Sequence, residues 1–175
     1  MSIPMEQAYL HCPRCGCKQS DVGQIPFRCD HCQFAVFFGP VAAVGGLIVD
    51  SADKLLLVRR ARNPGKGQWG LPGGFVDRGE TAEEALEREV YEETQLRLQT
   101  RELLVTRPNQ YNYQGVVTEV IDLFYVCRAV DPSHVELEPA ELDDYAWVHP
   151  TADYLDNMAF PSNRYAIELW MSELP

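Results

Sequence analysis

The segment that most constrains this chain runs from Gly70 to Leu96 and reads GLPGGFVDRGETAEEALEREVYEETQL. It places a glycine-rich turn directly before a stretch crowded with glutamates, at positions 83, 84, 87, 89, 92 and 93. In a helix, like charges three and four residues apart repel one another. The spacing therefore predicts that positive charge lies against part of this face.

The same segment carries a helix-start signal. Thr81 is followed three residues later by Glu84, which is the pattern of a capping box. Apolar residues then recur at helical spacing and predict a buried stripe. These residues are Ala82, Ala85, Leu86 and Val90.

Three of the glutamates are expected to converge. Because successive helical residues turn by about 100°, Glu89, Glu92 and Glu93 fall on one face. Several carboxylates close together suit a hard divalent cation such as Mg²⁺, and Arg88 can hold one of them by a charge-assisted hydrogen bond. The alternative is a solvated acidic face, which leaves the glycine turn and Arg88 unexplained.

These residues resemble the motif of the Nudix hydrolase family, written G-x5-E-x7-R-E-U-x-E-E-x-G-U, where U is aliphatic. The matching positions are Gly74, Glu80, Arg88, Glu89, Val90, Glu92, Glu93 and Leu96. The one departure is Gln95, where the family usually has a glycine that ends the helix. The resemblance extends from about Val41 to the C-terminus. It implies a three-layer α/β/α sandwich and hydrolysis of a nucleoside diphosphate linked to another group.

The resemblance also implies roles for single residues. By matched position, Glu89 and Glu93 are the principal ligands of Mg²⁺ or Mn²⁺, and Glu92 is a further ligand, directly or through water. Arg88 is the orienting partner, so Glu93, Glu92 and Arg88 are catalytic candidates. Glu80 is expected to support the loop and helix geometry.

Families of this kind often add a glutamate from a later loop as a metal ligand or base. The segment ELDDYAWV places Glu141 just before a predicted strand and makes it the preferred candidate for that role. Glu119 is the alternative.

Candidate substrate contacts flank the motif. Gly73 and Gly74 allow the backbone to approach a bound molecule closely. Basic residues that precede the motif can contact phosphate, with ordinary surface charge as the alternative. They are Arg59, Arg60, Arg62 and Lys66, of which Arg59 and Arg62 are the preferred candidates. Because side chains alternate along a strand, Arg59 and Arg60 point to opposite faces, and at most one of the two is expected to serve.

Two tyrosines, Tyr111 and Tyr113, lie in a predicted loop and are candidates for stacking on a base or ring. Alternatively, strand alternation puts both on one face, where they simply pack. Trp69, just before the glycine turn, is interpreted as a packing residue.

The N-terminal segment carries a second metal pattern. Two Cys-x-x-Cys pairs, Cys12 with Cys15 and Cys29 with Cys32, are separated by a short loop, as in tetrahedral thiolate Zn²⁺ sites. A segment of about thirty residues is too small to fold on its core alone, so metal binding is expected to replace that core. A redox dithiol, or a ribbon that has lost its metal, remains the alternative.

The paired spacing favours these four cysteines over the other thiols and histidines of the segment. Cys17, His11 and His31 are spare candidate ligands, and Cys127 is interpreted as a small buried hydrophobe. We predict a zinc ribbon over residues 1–36 and a catalytic domain over residues 37–175.

A cysteine ribbon ahead of a Nudix motif is similar to the NADH pyrophosphatase branch. That branch carries a motif resembling SQPWPFP-x-S after its box, and this chain has PNQYNYQGVVTEV there instead. The C-terminal segment is more similar to a ribbon-bearing group that includes a plant FAD pyrophosphatase. The implied substrate contains ADP, as do FAD, ADP-ribose and NADH, and is cleaved to AMP and a second phosphate.

The other predicted elements, strands mixed with two helices, indicate an α/β or α+β layered domain, and the Nudix resemblance favours α/β. Strands are expected in VAAVGGLIVD and KLLLVRR, and over residues 98–106, 117–129 and 145–148. A closing helix is expected from Asn163 to Leu174, with Ser162 as its cap.

Charge and composition bound the function. The net charge of −11 and the pI near 4.7 argue against a nucleic-acid or anionic-membrane partner. The start MSIPMEQAYLHC lacks the basic region and apolar run of a secretory signal, so we expect a cytoplasmic protein. Its expected partner is a small nucleotide substrate, and a homodimer is left open. The alternative function is a catalytically weak nucleotide-sensing module whose ribbon binds a partner.

Overall fold

The computed structural model describes residues 2–174. Over these residues the strands are β1 (Ile3–Pro4), β2 (Phe27–Arg28), β3 (Ala35–Val36), β4 (Val41–Ile48), β5 (Leu55–Arg60), β6 (Trp69–Gly70), β7 (Leu98–Tyr113), β8 (Val116–Ala129) and β9 (Leu142–Val148). The helices are a 3-10 helix (Met5–Ala8), α1 (Ala82–Thr94), α2 (Ala152–Asp156) and α3 (Pro161–Glu173). None of the described helices is both long enough and apolar enough to cross a membrane.

The chain divides into two compact units. One comprises the N-terminal segment through Val41 together with Gln110–Val120. The other comprises Ala42–Asn109 together with the segment that follows Val120. The assignment of residues 1–36 to a zinc ribbon and of residues 37–175 to a catalytic domain stays a prediction.

Short elements and two cysteine turns build the first unit. β1 pairs in parallel with the start of β8, and β2 pairs antiparallel with β3. The core of this unit contains buried Cys12, Phe27 and Cys29, with Tyr9 and Phe38 packed against them. A core of this size needs additional support to fold stably.

In the second unit, alternating side chains separate two cores. On β5, Leu56 and Val58 pack with residues of α1, whereas Leu55 and Leu57 pack with residues of α3. Neighbouring residues of β4 and β8 divide in the same way, because successive strand side chains point to opposite faces. These pairs are Ile48 with Leu47, and Tyr125 with Phe124. The two helices therefore cover opposite faces of the strands, which confirms the predicted α/β sandwich.

The strands of this unit position the loops around the candidate active site. β5 lies between β6 and β9, antiparallel to both, and β8 pairs with β4 and β7. Fully buried leucines on β5 each contribute about 2 kcal/mol of hydrophobic stabilisation. This core fixes the ends of β5 and β9 against α1.

α1 begins and ends at identifiable residues. Thr81 Oγ1 accepts a hydrogen bond from the Glu84 N–H at 3.2 Å, and the Glu84 carboxylate accepts from the Thr81 N–H at 2.8 Å, which confirms the capping box. After the helix, Gln95 has φ 58°, and its N–H donates to the Tyr91 carbonyl. Gln95 thus adopts the left-handed conformation that glycine adopts easily, at a steric cost of about 1–2 kcal/mol.

The closing helix corrects one prediction. α3 begins at Pro161 rather than Asn163, and Phe160 occupies the N-cap position without a side-chain hydrogen bond. Proline favours the first helical position because its missing N–H has no partner there in any case. Ser162 was the wrong cap, because it already lies inside the helix with a buried side chain.

The β7–β8 hairpin corrects another prediction. β7 does not end near Thr106 but continues to Tyr113, and the chain reverses at Gln114 and Gly115, whose φ values are 49° and 85°. Two left-handed residues suit a two-residue hairpin turn. Tyr111 and Tyr113 therefore lie on a strand, two residues apart on one face, and not in a loop.

Candidate active site

The acidic face of α1 and the loop between β8 and β9 form one open cavity of about 370 Å³. Five of its six lining residues are glutamates. They are Glu89, Glu92, Glu93, Glu138 and Glu141, and the sixth is Gln95. The structure thus brings together the three helical glutamates and the later glutamate Glu141.

Glu93 is the most buried carboxylate of the cavity, with 6% of the residue exposed. Its Oε2 accepts a hydrogen bond from the Gly73 N–H at 2.9 Å. Burial raises the pKa of Glu93 to about 8, and the charges of Glu89 and Glu141 act in the same direction. A buried carboxylate beside other carboxylates keeps its charge readily only next to a cation.

Burial also raises the pKa of Glu89, although Arg88 opposes the shift. The Glu89 carboxylate lies directly against the glycine turn. A Cβ on Gly74 would lie 2.4 Å from Glu89 Cδ, and one on Gly73, where φ is 148°, would lie 2.1 Å from the Val44 carbonyl oxygen. The glycines therefore allow the turn to approach both β4 and the helical glutamates.

Arg88 supplies the positive charge that the glutamate spacing predicts. Its Nε and Nη2 donate to the two carboxylate oxygens of Glu80 at 2.7 and 2.9 Å. Its Nη1 donates to Glu89 at 2.8 Å and to Glu92 at 3.2 Å, and Nη2 also reaches the Phe75 carbonyl. Hydrogen bonds from Arg88 lower the pKa of Glu80 to about 2. The two-point contact with Glu80 fixes the guanidinium plane, and Arg88 in turn orients Glu89.

Two further glutamates of α1 have partners outside the cavity. Arg101 forms an ion pair with Glu87, and the Tyr125 hydroxyl donates to Glu83 at 3.0 Å. Glu87 and Glu83 thus have partners that are not cavity side chains.

Glu141 is positioned by the pairing of β5 with β9. Its carbonyl accepts from the Ala61 N–H at 2.7 Å, and its carboxylate pairs with Arg62 at 2.7 Å. The β5–β9 register shifts between Arg59 and Arg60, so Asp143 has no partner in the ladder. Irregularities of this kind re-aim side chains next to functional sites.

The alternative candidate, Glu119, belongs to the other compact unit. There its carboxylate accepts a hydrogen bond from Gln110 Nε2 at 3.0 Å. Glu141 is the later glutamate that lines the cavity.

Glu138 is a cavity residue that the sequence analysis missed. Its N–H donates to the Glu93 carbonyl at 3.1 Å, which ties the loop to the end of α1. The sequence VELEPAEL shows several acidic residues before β9, but this composition does not indicate which of them faces α1.

The two arginines that are the preferred phosphate contacts, Arg62 and Arg59, differ in whether they contact a cavity residue. Arg62 reaches the cavity through Glu141. Arg59 instead pairs with Asp143 at 2.7 Å and Asp144 at 3.3 Å and lies over the Trp69 ring, and none of these residues lines the cavity. Trp69 packs edge-on against Tyr154, as expected of a packing residue.

The predicted stacking residues lie in the unit that contains the N-terminal segment. Tyr113 is 62% exposed, and its hydroxyl accepts from Gln114 Nε2. Stacking of Tyr111 and Tyr113 on a substrate stays a prediction.

The four paired cysteines also converge. The sulfurs of Cys12, Cys15, Cys29 and Cys32 all lie within 4.8 Å of one another. The Cys12–Cys32 and Cys15–Cys29 sulfur distances are both 3.7 Å, and a tetrahedral Zn²⁺ with Zn–S bonds of about 2.3 Å separates its sulfurs by about 3.8 Å. The donor set and its spacing therefore fit Zn²⁺.

Backbone geometry supports these cysteines. The N–H of Cys12 donates to the Cys17 carbonyl and that of Cys29 to the Phe34 carbonyl, one bond in each turn. Backbone hydrogen bonds at Cys32 and His31 lower the pKa of Cys29 to about 6. Despite a backbone hydrogen bond at Cys17, desolvation and hydrogen bonds with the other three cysteines raise the pKa of Cys15, so the thiolate that binds metal forms more readily at Cys29. Cys127 is fully buried in the second unit, as predicted.

Comparison with known proteins identifies the family. The family model described as NUDIX domain matches residues 39–169. The chain belongs to the Nudix hydrolase family. Its motif supplies three of the cavity glutamates, Glu89, Glu92 and Glu93, together with the contacts between Arg88 and Glu80.

Individual relatives of this Nudix hydrolase cover different parts of it. An ADP-ribose pyrophosphatase of Methanocaldococcus jannaschii is 46% identical over 72 residues, which are 41% of this chain and 42% of that protein. The NAD-capped RNA hydrolase NudC of Haemophilus influenzae is 26% identical over 145 residues, which are 81% of this chain and 52% of that protein. The match thus spans about half the length of these relatives.

Solved structures agree on the Nudix fold. The NUDIX domain of Shewanella oneidensis NrtR, in a cocrystal with ADP ribose, has a TM-score of 0.65 and 28% identity, covering 79% of this chain and 91% of that one. A NUDIX hydrolase from Nitrosomonas europaea has a TM-score of 0.66 and covers 93% of this chain and 90% of that one. At 23% identity, the latter likeness concerns the fold alone.

Proposed function

We propose that this Nudix hydrolase binds Mg²⁺ or Mn²⁺ in the glutamate cavity and hydrolyses the pyrophosphate bond of an ADP-containing compound. ADP-ribose, FAD and NADH are the candidate substrates, and AMP and a second phosphate are the products. The observation that carries this proposal is the convergence of five glutamates in one cavity, with Glu89 oriented by Arg88 and Glu93 by Gly73.

The donor set fits a hard divalent cation. Five carboxylates line the cavity, whereas the arginines that pair with them are Arg88 and Arg62. The negative charge that remains, and oxygen donors from two facing segments, are what Mg²⁺ binding requires. Nudix hydrolases generally use such a metal, which when bound stabilises charge on the pyrophosphate oxygens.

The metal ligands and the proton acceptor are proposed to be glutamates of the cavity. Glu89 and Glu93 are the principal candidate ligands, and the more exposed Glu92 adds a ligand directly or through water. Glu141, or its loop neighbour Glu138, accepts the proton of an attacking water, and the support for this role is that both line the same cavity as the helical glutamates. Water then adds to one phosphorus, and the bridging oxygen leaves with the other phosphate.

Contacts outside the glutamates are proposed for the rest of the substrate. Arg62 offers its guanidinium to a phosphate, and Gly73 and Gly74 permit close approach of the turn. Tyr111 and Tyr113 stay candidates for stacking, and Arg59 for a second phosphate contact. The ADP half is favoured because one relative is an ADP-ribose pyrophosphatase and a similar solved structure is a complex with ADP ribose. FAD is a candidate because of the resemblance of the C-terminal segment.

We also propose that the four-cysteine site binds a structural Zn²⁺. The two cysteine turns supply the ligands Cys12, Cys15, Cys29 and Cys32, and the small core of this unit is the reason that metal is needed. The domain limits 1–36 and 37–175 belong to the same proposal.

A substrate panel tests the proposed activity. ADP-ribose, FAD, NADH and ATP are each incubated with the purified chain and Mg²⁺, and AMP and the second product are quantified by chromatography. We expect AMP from at least one ADP-linked compound, and none without divalent metal. A strong preference for ATP contradicts the substrate class, and tight binding of ADP-ribose without turnover favours the nucleotide-sensing alternative.

A further inference from the structure

Within residues 2–174, Arg62 forms an ion pair with one carboxylate, that of Glu141. Its Nη2 lies 2.7 Å from Glu141 Oε1, and the arginine side chain is 57% exposed. The preceding residue, Ala61, donates its N–H to the carbonyl of the same glutamate. The segment after β5 therefore binds both the backbone and the side chain of Glu141.

Arg88, the other arginine that pairs with cavity glutamates, is held differently. Arg88 reaches Glu80, Glu89 and Glu92 together, and its side chain is only 26% exposed. Several bonds in fixed directions make Arg88 a permanent part of the site. One exposed ion pair on a flexible side chain is weak and exchanges readily.

The partner of Arg62 is one of the carboxylates that line the metal cavity. While the guanidinium neutralises Glu141, this oxygen is a poorer ligand and a poorer base. The two linked phosphates of an ADP-containing substrate carry two negative charges and can accept two parallel bonds from the guanidinium, whereas Glu141 accepts a bond from one of its nitrogens. Arrival of these phosphates can therefore draw Arg62 away from Glu141.

We propose that Arg62 is a displaceable counter-ion that occupies Glu141 in the substrate-free protein and moves to the substrate phosphate on binding. Glu141 then becomes available to the cation. This inference rests on the proposed function and deepens it, because it makes substrate binding and metal binding mutually favourable. Arg62 acts on the metal site through Glu141, so it is a positioning residue for that site.

Mn²⁺ binding to the substrate-free protein, measured by electron paramagnetic resonance at constant ionic strength, tests the inference. Arg62→Ala is expected to bind Mn²⁺ about fivefold more tightly than the natural chain. Its KM for ADP-ribose is expected to rise about tenfold, because a charge-assisted contact to phosphate is lost. Arg62→Lys keeps the charge and is expected to retain the natural Mn²⁺ affinity.

Two comparisons separate this mechanism from a general charge effect. Arg164→Ala removes an arginine of the same unit that pairs with Asp156 at 2.7 Å and Glu168 at 2.8 Å, and we expect neither Mn²⁺ affinity nor KM to change. In a chain that already carries Glu141→Gln, Arg62→Ala is expected to leave the Mn²⁺ affinity unaltered, because residue 141 then has no charge for Arg62 to neutralise.

The outcomes are distinguishable. Unchanged or weaker Mn²⁺ binding in Arg62→Ala overturns the inference, as does an equal gain in Arg164→Ala or a gain that persists beside Glu141→Gln. If the natural chain and Glu93→Gln take up Mn²⁺ equally poorly, the proposed function itself fails, and the inference with it.

Discussion

Single side chains explain how this helix tolerates so many glutamates. Arg88 bridges Glu80, Glu89 and Glu92, Gly73 donates its N–H to Glu93, and Gly74 leaves room for the Glu89 carboxylate. The glycine turn and the acidic helix therefore depend on each other. Changes at the turn should affect the carboxylates even though glycine has no side chain of its own.

Gly74→Ala should inactivate the enzyme without unfolding it. The new Cβ would meet the Glu89 carboxylate at about 2.5 Å, so this side chain must move. A displacement of about 1 Å at a reacting site lowers turnover by roughly 100-fold. Steady-state kinetics with the best substrate measures the effect. Gly39→Ala is the control, because its Cβ would meet nothing within 4 Å, and equal activity of the two variants would contradict the argument.

Asp122 gives a pH-dependent prediction at the same scale. Burial raises the pKa of this carboxyl despite a hydrogen bond from Asn109. The pKa of Asp122 is therefore higher in the folded protein than in the unfolded chain, where it has the ordinary value of about 4. The free energy of unfolding falls as pH rises from about 4 through the pKa of the folded state, because the unfolded chain gives up this proton more easily. Asp122→Asn should therefore be more stable than the natural chain at pH 7.

Urea unfolding at several pH values measures this difference. It should shrink as pH falls through the raised pKa of the folded state, because Asp122 then becomes protonated and, like asparagine, carries no charge. A difference that is independent of pH would show that the charge of Asp122 is not its cause.

At the scale of elements, local signals predicted α1 well. The capping box and the apolar stripe lie within a few residues of one another, so the sequence alone defines the helix start and the buried side. The end of β7 depends on a turn at Gln114 and Gly115, and Gln114 is not a usual residue for a left-handed position. The predicted start of α3, at Asn163, was two residues too late, because Pro161 itself occupies the first helical position.

Gln95 makes the end of α1 testable. It adopts a left-handed φ of 58°, a conformation that costs a non-glycine residue about 1–2 kcal/mol. Gln95→Gly should raise the free energy of unfolding by about 1 kcal/mol, after allowing for the greater flexibility of glycine in the unfolded chain. Chemical denaturation measures it. A loss of stability would mean that the Gln95 side chain, which donates to the Tyr91 carbonyl, contributes more than its backbone strain removes.

For the whole molecule, the helical glutamates of the cavity could be predicted from periodicity, but the contacts that bring other residues to them could not. Glu89, Glu92 and Glu93 share a helix face, so periodicity alone brings them together. Glu138 and Glu141 enter the cavity through the β5–β9 pairing and the bond from the Glu138 N–H to the Glu93 carbonyl. Such contacts join residues far apart in the chain, so Glu141 was predicted only through the family resemblance and Glu138 was missed.

The cysteine unit gives a prediction at this scale. Protein purified without chelator should contain about one Zn²⁺ per chain, because the four sulfurs have the spacing of one tetrahedral site. Cys29→Ser should lower the zinc content sharply. Cys17→Ser is the matched control, and it should retain the metal. Elemental analysis that finds no zinc in the natural chain, or an equal loss in both variants, would contradict a site built from the two pairs.

The central claim is that the glutamate cavity holds the metal for pyrophosphate hydrolysis, and Glu93→Gln tests it most directly. The substitution keeps the size of the most buried cavity carboxylate and removes its charge. We expect AMP formation from the best ADP-linked substrate at saturating Mg²⁺ to fall by about 1,000-fold, since metal and electrostatic contributions of this kind amount to several kcal/mol, while the circular dichroism spectrum is unchanged. Turnover equal to that of the natural chain would contradict the account.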